Sequence, residues 1–101
     1  MEKVTSEVVK TKQLENKKLL VDFYADWCGP CKMLMPRLES FENEFNNVEF
    51  IKVNVDENME YAKELGIRGV PTVIIFDGEN MVNRSSGVQS DNYYKDILNN
   101  L

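Results

Sequence analysis

Apolar residues occupy nearly every position from 19 to 24, where the chain reads Leu-Leu-Val-Asp-Phe-Tyr. A run of that length and density suits a strand buried on both faces, as in a sheet covered by helices. After Gly29-Pro30 the period changes. Leu34, Leu38, Phe41 and Phe45 recur every three to four residues, the spacing of an amphipathic helix. Pro36 falls inside that helix and should kink it, because proline lacks an N–H and crowds the carbonyl four residues back. Residues 48–55 alternate, with Val48, Phe50, Val53 and Val55 among the apolar positions, and predict another strand.

Shorter elements fill the rest. Residues 3–5 predict a short first strand, and Ser6 a cap for a helix reaching Asn16, with Val9 and Leu14 as apolar positions. Asp56-Glu57-Asn58 opens a short helix through Leu65 that Gly66 stops. Residues 72–76 and 81–85 flank Asp77-Gly78-Glu79-Asn80, a hairpin signal. Ser90-Asp91 caps a last helix carrying Tyr94, Ile97, Leu98 and Leu101. The order β-α-β-α-β-α-β-β-α predicts an α/β sandwich with a central mixed sheet and helices on both faces. Crossovers through helices should make the first part of the sheet parallel, and the closing hairpin antiparallel.

The chain has 101 residues, 43% hydrophobic and 29% charged, enough to bury one core and too few for two. A single domain spanning 1–101 is expected. Its net charge of −5 disfavours phosphate, so nucleic acid is not an expected partner. Lys10, Lys12, Lys17 and Lys18 are interleaved with polar and acidic residues and read as a solvated face. Met1-Glu2-Lys3 leads into no apolar run, which argues against a signal peptide. The longest apolar runs, such as Val73-Ile74-Ile75-Phe76, are strand-sized, so no membrane partner is expected. These features predict a cytoplasmic monomer.

Both cysteines lie in Trp27-Cys28-Gly29-Pro30-Cys31-Lys32, and the chain has no histidine. Three uses of such a pair compete. A closed zinc site needs about four ligands, of which this chain supplies two thiolates and no imidazole; carboxylates or a second chain would have to complete it. A disulfide closing so short a loop removes little unfolded-chain entropy and is a weak staple. Redox exchange needs a stabilised thiolate, and Cys28 sits where a helix begins, facing unpaired N–H groups and partial positive charge. Pro30 suits a first helical turn, and Lys32 adds a nearby cation. Cys28 is then the nucleophile, and Cys31, one turn into the helix, resolves the mixed disulfide.

Asp22 interrupts the most apolar run, where a carboxylate is costly to bury without a partner. Either it faces solvent at an edge, or it is a buried carboxyl of raised pKa that accepts the proton of Cys31.

Residues 21–32, Val-Asp-Phe-Tyr-Ala-Asp-Trp-Cys-Gly-Pro-Cys-Lys, resemble the active-site segment of the thioredoxin family. A second match, Gly66-Ile67-Arg68-Gly69-Val70-Pro71-Thr72, is similar to that family's loop before a cis-proline. Pro36 matches the kinking proline, Lys52 and Asn54-Val55-Asp56 the third strand, and Gly87 a glycine lining the substrate groove. The similarity covers residues 3–101.

The resemblance implies a thioredoxin fold and a protein disulfide reductase. The working group would be the redox-active disulfide Cys28–Cys31, with no bound cofactor or metal. Disulfide-bearing client proteins would be its substrates and a thioredoxin reductase its electron donor. It further implies that Lys52 partners Asp22 and that Pro71 is cis, with the Val70 backbone open to a client strand. Trp27, Gly29, Pro30, Val70, Pro71 and Gly87 would form the docking surface. Tyr24 stands where that family often has Trp, and Ser85-Ser86 where an apolar residue is usual, so client preference should differ. Two other functions compete: an isomerase-like or oxidising protein of the same fold, and a binding subunit independent of the thiols. Gly29-Pro30 between the cysteines, with no His there, favours the reductant.

Overall fold

The computed structural model describes all 101 residues. In chain order the elements are β1 (Glu2–Lys3), α1 (Ser6–Leu14), β2 (Lys18–Tyr24), α2 (Gly29–Phe41), β3 (Glu49–Asn54), α3 (Met59–Glu64), β4 (Thr72–Asp77), β5 (Asn80–Ser86) and α4 (Asp91–Asn99). They form one five-stranded sheet in the order β1-β3-β2-β4-β5. The apolar run is therefore the central strand, β2, and residues 19 to 24 are all buried.

Side chains alternate across β2 and divide the core in two. Leu20 faces one layer with Leu34, Leu38 and Phe41 of α2 and Tyr94 and Leu98 of α4. Leu19, Val21 and Phe23 face the other, with Val9 of α1 and Tyr61 of α3. Helices thus cover both faces, the architecture predicted from the pattern.

The parallel expectation holds for β1 with β3 and for β3 with β2. It fails for β4, which follows a helix yet pairs antiparallel with β2. The chain through α3 re-enters the sheet on the far side of β2, pointing the other way. The hairpin forms as predicted, with Asp77 opposite Asn80 and Gly78 at φ +60, the positive φ its first loop position requires.

Four local expectations shift. Thr5, not Ser6, caps α1: its hydroxyl accepts from the Val8 amide at 3.4 Å, while the Ser6 amide donates to Asn58 Oδ1 at 3.0 Å. Leu14 is 70% exposed, because α1 is nine residues long and buries only Val9. Phe45 lies beyond α2, after a 3-10 turn at Glu42–Glu44, but stays in the core. Residues Val55–Glu57 form a 3-10 turn, capped by Asn54 accepting from the Asp56 and Glu57 amides, before α3 starts at Met59. The chain stays helical through Pro36.

Candidate active site

The site lies where β2 gives way to α2. Cys28 is the N-cap of α2, in extended backbone, and its Sγ accepts the Cys31 amide at 3.2 Å. That is one of the unpaired donors every helix start leaves, and it points at sulfur here because the cap residue is a cysteine. Pro30 in the first turn lacks an N–H where none is needed. The two thiols are joined as a disulfide, with Cα atoms 5.3 Å apart. Cys31 is fully buried and Cys28 is 3% exposed. Lys32 is exposed.

The Val70–Pro71 bond is cis, as the resemblance implied. The Val70 carbonyl oxygen lies 3.6 Å from Cys28 Sγ, a contact in the disulfide form, where sulfur carries no proton. The Gly87 amide donates to the Pro71 carbonyl at 2.8 Å, and Gly87 sits at φ +75, which favours glycine. Thus the loop before β4, carrying Val70 and Pro71, is tied to the loop after β5, carrying Gly87, and Val70 meets the disulfide. Trp27, Gly29 and Pro30 are exposed beside it.

Trp27 is 72% exposed, yet its indole N–H donates to Asp56 Oδ2 at 2.9 Å, so the ring has a fixed edge. Beside it a groove of about 510 Å³ is lined by Trp27, Val55, Met59, Ile67, Arg68 and Val70. The part played by Asp56 was not legible in the sequence. The Asn54 side chain holds its backbone, accepting the Asp56 amide at 2.9 Å.

Asp22 is completely buried, and neither oxygen has a hydrogen-bond partner. It is not the edge-facing carboxylate. Its side chain shares a face of β2 with Leu20 and Tyr24, the face that α2 covers and on which Tyr24 packs against both cysteines. Burial pushes its pKa up to about 7; Lys52 opposes the rise and Glu39 adds to it.

Lys52 stands opposite Asp22 on β3, as expected, but they form no ion pair. Its Nζ lies instead 4.0 Å from Met35 Sδ and 5.7 Å from the centre of the Tyr24 ring. Lys52 acts on Asp22 through space rather than by contact. No group of three or more His, Cys, Asp or Glu side chains is placed to hold a metal ion.

A family model described as Thioredoxin matches residues 2–100. A thioredoxin from Mycoplasmoides gallisepticum is 43% identical over 83 residues, covering 82% of this chain and 83% of that protein. One from Mycoplasma genitalium is 34% identical over 102 residues, covering 96% and 100%. Among solved structures, Plasmodium falciparum thioredoxin superposes with a TM-score of 0.88 at 30% identity, covering 99% of this chain and 98% of that one. The oxidised form of mitochondrial thioredoxin 3 from Saccharomyces cerevisiae gives 0.88 at 32%, covering 100% and 95%.

Proposed function

The chain belongs to the thioredoxin family, and we propose that its chemistry runs through Cys28 as attacking thiolate and Cys31 as resolving thiol. It is a protein disulfide reductase, a thiol–disulfide oxidoreductase whose redox-active group is the Cys28–Cys31 disulfide. The assignment of roles rests on one observation: Cys28 Sγ receives the Cys31 amide at the helix start, while Cys31 is sealed beneath it.

In the reduced protein the helix N-terminus and that amide favour the Cys28 thiolate. It attacks one sulfur of a client disulfide. The client S–S bond breaks, its other sulfur leaves and takes a proton, and a mixed disulfide remains. The Cys31 thiol then gives its proton to Asp22 and attacks Cys28 Sγ. The mixed disulfide breaks, the second client sulfur leaves and takes a proton from solvent, the client departs as a dithiol holding two more electrons, and Cys28–Cys31 closes. A pKa of about 7 lets Asp22 accept a proton and release it again near neutral pH.

A client strand docks on Trp27, Gly29, Pro30, Val70, Pro71 and Gly87, pairing with the Val70 backbone. A thioredoxin reductase returns the electrons. The chain works as one domain, residues 1–101, and as a monomer in the cytoplasm; no helix is long and apolar enough to cross a membrane.

Cys28→Ser and Cys31→Ser test the roles. The first should abolish reduction of insulin disulfides, and the second should accumulate a covalent protein–insulin adduct. Full multiple turnover by Cys31→Ser would sink the mechanism. The potential of the Cys28/Cys31 pair fixes the direction. A value near the roughly −270 mV of thioredoxin itself fits a reductant, and one near about −180 to −120 mV an isomerase or oxidant.

A further inference from the structure

Arg37 lies six residues after Cys31 on α2, and its guanidinium leaves the helix to grip the segment before α4. Nη2 donates to the Gln89 carbonyl at 2.7 Å and to Asp91 Oδ1 at 2.7 Å, and Nε donates to the same Oδ1 at 3.0 Å. The Arg37 side chain is one-third exposed, so these bonds are partly shielded from water. Gln89 is held on every side. Its amide donates to the hydroxyl of buried Tyr94 at 3.0 Å, and its side chain donates to the Ser86 carbonyl at 3.0 Å. Two residues earlier, Gly87 is tied to the Pro71 carbonyl.

Loop 86–90 is therefore fixed at one end to the cis-proline and at the other to the cysteine helix. Arg37 is the only residue of α2 that donates to this loop. Asp91 is a good anchor because, in the first turn of α4, it also meets the positive end of that helix.

We propose that Arg37 is a positioning residue for client docking: it sets the distance between the Gly87 side of the docking surface and the disulfide. This rests on the reading above that clients dock across Pro71 and Gly87. A folded client touches both sides of the disulfide and needs that distance fixed beforehand. A small disulfide touches the sulfurs alone and does not.

The test uses the full chain, reduced beforehand and mixed in single turnover with either insulin or the small aromatic disulfide of dithiobis-nitrobenzoate. Arg37→Met should raise the half-saturating insulin concentration roughly tenfold while the plateau rate and the small-disulfide rate stay within about twofold. Asp91→Asn keeps the guanidinium beside the Gln89 carbonyl. It should lower the thermal midpoint but move insulin half-saturation less than Arg37→Met does. Unchanged insulin half-saturation in Arg37→Met overturns the proposal. So does an equal loss on both substrates, or equal shifts in half-saturation in the two variants. A wild-type chain that reduces neither substrate would bring down the reductase reading itself, a different failure from one confined to the variants.

Discussion

Asp22 and Lys52 stand opposite each other on adjacent parallel strands, and no hydrogen bond or ion pair joins them. The carboxyl is left in an apolar layer with neither oxygen satisfied. Its ionised form therefore costs stability, and the folded protein holds the proton more tightly than the unfolded chain does.

The sign of the pH dependence follows. With the folded pKa at about 7, above the ordinary 3.8, the folded state is favoured below pH ~4. That advantage is lost as pH rises to about 7, a change on the order of 4 kcal/mol. Asp22→Asn removes the ionisation. Urea unfolding of the oxidised form should show the variant gaining on wild type between pH 4 and 7, by about 2–4 kcal/mol, and level above pH 8. A gap independent of pH would mean that Asp22 titrates normally.

In the proposed mechanism the same group takes the Cys31 proton in the resolving step. Cys31 is fully buried, so its proton needs an acceptor inside the protein. Breakdown of a preformed mixed disulfide, followed by rapid quench, should slow as pH falls through about 7. Asp22→Asn should slow it at pH 8 by about 10- to 100-fold, the lower reach of general-base effects. Lys52→Met removes the opposing charge and should move the wild-type pH midpoint upward. A midpoint that stays put would separate Lys52 from Asp22.

Trp27 is the chain's only tryptophan, so its fluorescence reports on one place. Asp56→Ala deletes the acceptor of the indole N–H. The prediction is lower steady-state anisotropy at Trp27 and insulin half-saturation raised about two- to fivefold, the cost of ordering a freed ring. Unaltered anisotropy would show that packing alone holds the ring.

Phe41 ends α2 and packs edge-on against Phe45 at 6.4 Å and Phe50 at 6.0 Å between ring centres. Truncation to Ala should cost about 3–5 kcal/mol in urea unfolding. Because the ring lies at the far end of α2 from the cysteines, the folded fraction should keep its potential. A shifted potential would reveal coupling along the helix.

Much of this was legible locally. The central strand, the cysteine helix and the hairpin follow from period, density and turn chemistry, which neighbours in the chain decide. The cysteine pair was legible for the same reason: it sits at a helix start that Gly29-Pro30 announces. Contacts between distant elements were not. Thr5 displaced Ser6 as a cap because Asn58, fifty-two residues on, takes the Ser6 amide. Asp22 and Lys52 were expected as partners and proved to be neighbours without contact, since Lys52 Nζ rests on Met35 and Tyr24. The Arg37 brace and the Asp56 clasp on Trp27 join residues 52 to 54 and 29 positions apart, and no periodicity encodes them.

By itself, then, the order of apolar and polar residues determined which segments become strands and helices and where the reactive pair sits. Those choices are made by backbone geometry and side-chain period within a few residues. The tertiary structure alone decided that β4 runs against β2, that Asp22 is buried without a partner, and that the Val70 loop meets the disulfide. Those outcomes depend on which surfaces remain to be covered once the local elements have formed.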